Sequence, residues 1–169
     1  MAETVYILAG SNIGDREKNL QTAVEIIRQM EGMELIAVSG VYVSEAVDMD
    51  EGAPAFMNLV VMGDYQYKPT ELLNSLELIE KKLGRTGKGA KESRTIDLDL
   101  LLFGEQVIET DRLSVPHREL LNRPFAMVPL LQIEPDIIHP VTGTPVAEFL
   151  TEKGRQSVML YKDHVARDF

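Results

Sequence analysis

Between Thr4 and Phe103 the apolar residues switch repeatedly between strand and helix periods, and the order of those switches leaves few folds open. TVYILAG reads as a strand running into a glycine turn. From Arg16 to Glu31, Leu20, Ala23, Val24, Ile27 and Met30 recur at helical spacing behind Asp15, a good N-cap. Leu35 to Ser44 is β-branched and reads as a strand, as does Phe56 to Met62, which Gly63-Asp64 would end. Thr70 to Leu83 carries Leu72, Leu73, Leu76, Ile79 and Leu83 on one helical stripe, and RTIDLDLLLF (Arg94 to Phe103) follows as a strand. The order β-α-β-β-α-β predicts an α/β (α+β) ferredoxin-like fold. Its antiparallel sheet would carry both helices on one face and leave the other free for a ligand.

After Gly104 the chain is punctuated by Pro116, Pro124, Pro129, Pro135, Pro140 and Pro145. This C-terminal extension is expected to wrap the sheet as short helices and loops. One domain is thus expected over 1–169, with a core from about 4 to 140. The charged tail from Gly154 is read as mobile, with a late strand open at Val158 to Tyr161. There are no cysteines, which excludes disulfides and thiolate metal sites. The short apolar run Val5 to Ala9 lacks the basic flank of a signal peptide, and no membrane span is visible, so a cytoplasmic protein is expected.

The aspartates of RTIDLDLLLF are out of place in a core strand, because Asp is depleted there. Strand alternation sends Ile96, Leu98, Leu100 and Leu102 toward the helices, and Thr95, Asp97, Asp99, Leu101 and Phe103 the other way. Asp97 and Asp99 then lie roughly 6.5–7 Å apart on one face. A divalent cation would relieve their repulsion, and Mg²⁺ suits one or two carboxylates completed by water and phosphate oxygens. A solvent-facing strand that tolerates two acids is the alternative.

Net charge is −10, against the basic surface that nucleic-acid binding needs. Yet Lys81, Lys82, Arg85, Lys88, Lys91 and Arg94 fall within 14 residues beside a single acid, Glu92. Either this is a solvated basic loop or it meets a local anion. Its glycines, Gly84, Gly87 and Gly89, suit a segment that closes over phosphates, but Ala90-Lys91 stands where a Walker A motif requires Lys-Ser/Thr. ILAGSNIG lacks the dinucleotide-binding glycine spacing, and Ser11 within it suits a turn or cap better than a nucleophile. Glu80 borders the second helix's stripe, where a boundary glutamate with its head in water is an equal reading. Arg112, His117, Arg118 and Arg123 cluster around two prolines and add a further anion-binding signal. His139 and His164 have no such company.

The stretch R-T-I-D-L-D-L-L, followed by V-P-H-R-E-L-L-N-R-P-F, resembles the 6-hydroxymethyl-7,8-dihydropterin pyrophosphokinases of folate biosynthesis. The early A-G-S-N turn and the F-M-N strand agree, and the similarity spans about Val5 to Pro140. The resemblance implies transfer of the β,γ-diphosphate of ATP to the pterin hydroxymethyl group, with release of AMP. It implies that Asp97 and Asp99 bind two Mg²⁺ ions, and that Arg85, Lys88 and Arg94 act on the transferred group. Glu80, Leu100, Arg112, Ser114, His117, Arg118 and Arg123 would line the nucleotide. Phe56 and Phe125 would sandwich the pterin and Asn58 would read its edge, with Ser44 and Val47 nearby. Two departures stand out. The family's tryptophan and Gly-Pro before the motif arginine are replaced by Lys91-Glu92-Ser93, which leaves Lys88 and Lys91 as the loop's phosphate ligands. The Thr-Pro or Glu-Pro after the second strand is replaced by Ser44-Glu45-Ala46.

The expected partners are therefore small molecules, ATP and the pterin, with no nucleic acid or membrane, and the expected state is a monomer. Two rivals share the topology. A ligand-binding regulatory module without chemistry would show no pterin-dependent ATP consumption. An RNA-binding module would need aromatics on the free sheet face and a basic surface.

Overall fold

The structure, a computed structural model, describes residues 2–45, 55–84 and 95–165. Among them the order is β1 (Glu3–Ser11), α1 (Arg16–Arg28), β2 (Met33–Val38), β3 (Val41–Ser44), β4 (Phe56–Tyr65), α2 (Pro69–Lys82) and β5 (Asp97–Phe103). The extension adds β6 (Ile108–Glu109), β7 (Ser114–Val115), α3 (Pro124–Ile133), α4 (Glu152–Gln156) and β8 (Met159–Lys162). The main sheet runs β5-β1-β4-β3-β8, β2 also pairs with β4, and every pairing is antiparallel. That is the ferredoxin-like order, extended at one edge by β8.

Helix α1 starts where the sequence puts it: the Asp15 carboxylate accepts from Lys18 N at 3.1 Å, satisfying one of the free N–H groups of the first turn. Leu20, Ala23, Val24 and Ile27 of α1 and Leu72, Leu76 and Ile79 of α2 pack on Val5, Ile7, Ala9, Leu59, Val61, Leu98 and Leu100 of the sheet. The segment expected as one strand over Leu35 to Ser44 is broken at Ser39-Gly40, which leaves β2 and β3 separate. Ser39 bridges the break, its hydroxyl accepting from Val60 N at 2.9 Å. Strand β4 runs on through Gly63-Asp64 instead of ending there, because Gly63 is paired with both Val5 and Leu35.

The second sheet face is not wholly free. Tyr6, Leu8, Val60, Leu101 and Leu102 are covered by Leu120, Ala126, Met127, Leu130 and Val146 of the extension, which forms a second core. Among the described residues, a cleft remains at the end of this face nearest Gly10. The expected alternation along β5 also fails beyond Leu100: Leu102 joins the second core and Phe103 the helical one. The cause is a β-bulge, since Tyr6 pairs with Leu102 while Ile7 pairs with Leu100, leaving Leu101 as the extra residue.

Candidate active site

At the open end of the second face, a cleft of about 120 Å³ is lined by Leu8, Gly10, Ser44, Glu45, Phe56, Asn58, Asp97, Asp99, Arg123 and Phe125. Seven of these ten were expected from the sequence: Ser44, Phe56, Asn58, Asp97, Asp99, Arg123 and Phe125. The sheet brings them together by register. Gly10 of β1 is paired with Asn58 on one side and Asp97 on the other, and Leu8 is paired with Asp99. Phe56 and Asn58, two residues apart on β4, point to the same face, and Ser44 pairs with Phe56 from β3.

Asn58 is buried, and its side-chain amide donates to Ser44 Oγ at 3.3 Å. Gly10 was missed by the sequence reading, although its place matters. A Cβ there would lie 2.6 Å from Asn58 Oδ1 and 3.4 Å from the Phe56 ring, so only glycine leaves the asparagine in position. Arg16, at the start of α1, donates from Nη1 to Ala55 O at 2.8 Å and so anchors the approach to Phe56. Arg16 carries no motif of its own, and Gly10, expected in a turn that ends the strand, lies instead within β1, paired on both sides.

On the opposite wall, Pro124 starts α3 and sets Phe125 in its first turn. The Arg123 guanidinium lies 5.6 Å from the Phe125 ring centroid and 3.8 Å from Asp99 Oδ2. His117 Nε2 lies 4.0 Å from Asp99 Oδ1. Burial, with the Arg123 charge adding to it, pushes the His117 pKa down to about 4, so the ring is neutral at pH 7. Its Nδ1 accepts from Glu119 N at 3.1 Å, which assigns the proton to Nε2, on the side of Asp99. Among the described residues the site therefore offers the paired carboxylates of Asp97 and Asp99, with Glu45 also in its lining, beside the Arg123 cation and one neutral N–H donor.

Other expected residues lie elsewhere. Glu80 is buried, not solvated, and sits behind β5, where its carboxylate accepts from Leu98 N at 2.8 Å. Leu100 faces the helical core, so its side chain does not reach the cleft. Arg112 pairs with Glu77 at 2.6 Å, and Arg118 Nε donates to Glu109 at 2.8 Å; both are surface pairs outside the cleft. The Ser114 hydroxyl also donates to Glu109, at 3.3 Å. Val47, Arg85, Lys88, Lys91 and Arg94 lie outside the described residues.

The donor set suits Mg²⁺. Asp97 and Asp99 offer hard oxygens on one face of the cleft, and among the described residues no group of three or more acidic, His or Cys side chains forms a metal cage. An ion held by two carboxylates and completed by water and phosphate oxygens fits that arrangement.

A family model described as 7,8-dihydro-6-hydroxymethylpterin-pyrophosphokinase matches residues 6–135. The chain belongs to this family. The pyrophosphokinase of Aquifex aeolicus is 39% identical over 149 residues, covering 88% of this chain and 91% of that protein. The Haemophilus influenzae pyrophosphokinase is 32% identical over 161 residues, covering 95% and 94%. The folic acid synthesis protein fol1 of Schizosaccharomyces pombe is 36% identical over 92% of this chain, which spans only 21% of that longer protein. The wild-type HPPK-DHPS of Plasmodium falciparum superposes with a TM-score of 0.73 at 14% identity, over 98% of this chain and 50% of that one, a likeness of fold. Among the described residues no helix is long and apolar enough to cross a membrane.

Proposed function

We propose that this chain, acting as a single cytoplasmic domain and as a monomer, transfers diphosphate from ATP to 6-hydroxymethyl-7,8-dihydropterin and releases AMP. The observation that carries this reading is the meeting of Phe56, Asn58, Asp97, Asp99, Arg123 and Phe125 around one cleft. Phe56 and Phe125 hold the flat ring between them, and Asn58 and Ser44 present amide and hydroxyl groups to its polar edge. Asp97 and Asp99 would hold the two Mg²⁺ ions, which would supply charge neutralisation to the triphosphate. Arg123 lies 3.8 Å from Asp99 and helps hold it in place, and the His117 N–H is available to a phosphate oxygen. Arg112, Ser114 and Arg118 receive the nucleotide from the rim, with Glu80 and Leu100 supporting β5 from behind. From the family resemblance, Arg85, Lys88 and Arg94 would act on the transferred diphosphate and Val47 would belong to the pterin-binding residues. In a transfer of this kind the protein contributes mainly position and charge.

Product analysis tests the reading. Protein incubated with Mg²⁺, ATP and the pterin should form AMP one-for-one with a pterin diphosphate. ADP as product would overturn attack at the β-phosphorus. Well-folded protein with no pterin-dependent turnover would favour a ligand-binding module without chemistry.

A further inference from the structure

The two rings proposed to hold the pterin belong to different layers: Phe56 is on the sheet, and Phe125 is on the helix that covers it. A flat ring stacked between them needs roughly 7 Å, twice the ordinary contact distance. Something must fix the height of α3 over the sheet to that tolerance. The apolar contacts of Ala126, Met127 and Leu130 press α3 down, but such contacts are non-directional.

Gln132 supplies direction. It lies seven residues after Phe125, two helical turns along and on the same side of α3. Its Oε1 accepts from Gly40 N at 2.9 Å and from the Tyr42 hydroxyl at 2.7 Å. Gly40 lies in the break between β2 and β3, and a Cβ there would meet Lys162 O at 2.7 Å, so β8 holds this backbone from the other side. Tyr42 is buried and pairs with Asn58 across the sheet; Ser44, two residues on, bonds the Asn58 amide. One oxygen on α3 therefore ties the helix carrying Phe125 to the strand that supports Asn58 and Ser44.

We infer that Gln132 is a positioning residue for the pterin: its side-chain oxygen sets the height of α3 over β3, and with it the width of the slot between Phe125 and Phe56. The inference rests on the pterin reading above. Both bonds are accepted by one oxygen, so a carboxylate can replace the amide, whereas an apolar side chain of similar length cannot.

Steady-state kinetics of wild type, Gln132→Met, Gln132→Glu and Tyr42→Phe test it. Gln132→Met should raise the pterin KM roughly tenfold, the scale of two lost hydrogen bonds, and leave the ATP KM within about twofold. Tyr42→Phe, which keeps the Gly40 bond, should raise it by about threefold. Gln132→Glu should stay within about twofold of wild type for both substrates. A folded Gln132→Met enzyme with the wild-type pterin KM would overturn the inference alone. So would an equal rise in both KM values, the mark of general loosening, or a Glu variant as impaired as the Met variant. A wild-type protein inactive toward the pterin would overturn both the inference and the reading beneath it.

Discussion

The two ends of the site are built differently. At the proposed pterin end, Asn58 and Ser44 are buried on adjoining strands and already bonded to each other, with Gly10 making room beside Asn58. At the proposed nucleotide end, Arg112 and Arg118 have side chains 52% and 64% exposed, and each is engaged by a surface glutamate. Groups fixed by a sheet define one shape and reject others, whereas exposed ion pairs contribute about 1 kcal/mol at most and yield their cations to a better anion. On the proposed function, selectivity would reside at the buried end and charge capture at the exposed one, with Asp97 and Asp99 at the junction.

The largest expected effect lies at that junction. Asp97→Ala should lower turnover by ~10³-fold or more while circular dichroism and melting show a folded protein. Activity near wild type would end the metal model and, with it, the link between the two ends. Next comes the buried end. Gly10→Ala drives a methyl into Asn58, so the pterin KM should rise by about tenfold, and overpacking should cost about 1–3 kcal/mol in a urea titration. An unchanged pterin KM would mean that the end described as rigid can yield. At the exposed end, Arg112→Ala and Arg118→Ala should each raise the ATP KM a few-fold, with stability within about 0.5 kcal/mol of wild type. A large loss of stability would show these pairs to be structural.

The smallest effect is a pH dependence away from both ends. His139 is buried, its Nδ1 accepts from Val141 N at 3.2 Å and Thr142 N at 3.3 Å, and burial lowers its pKa below the ordinary 6.5. The folded protein thus binds this proton less readily than the unfolded chain does. The stabilisation is fully present above the ordinary pKa and is lost as pH falls through the folded one. The urea midpoint should drop from pH 7.5 to 5, and His139→Asn should flatten that drop; an equal drop in the variant would place the titration elsewhere.

Much of this was legible in the sequence because it depends on local period and capping. Asp15, the α2 stripe and the shared face of Asp97 and Asp99 follow from spacing alone, and the motif arginine and phenylalanine at 123 and 125 came with the family resemblance. What escaped depends on contacts between distant segments. Glu80 is buried because the outer N–H of Leu98 on edge strand β5 needs an acceptor, which α2 supplies. Gly63 stays within β4 because two neighbouring strands pair with it, against its usual role as a strand ender. The cover over half of the second face comes from the Pro-punctuated extension, whose wrapping was foreseen but not the face that it would choose.

The bulge at Leu101 has a consequence for how β5 tolerates change. Before it, the strand keeps one reading frame, in which odd-numbered residues serve the cleft; after it, Phe103 serves the helical core and Leu102 the cover. The inserted residue works as a frame shift between a chemical half and a scaffolding half of one strand. Substitutions beyond Leu101 can alter packing without re-aiming the aspartates, and removing Leu101 would leave a regular alternation in which Leu102 still faces the cover and Phe103 the helical core.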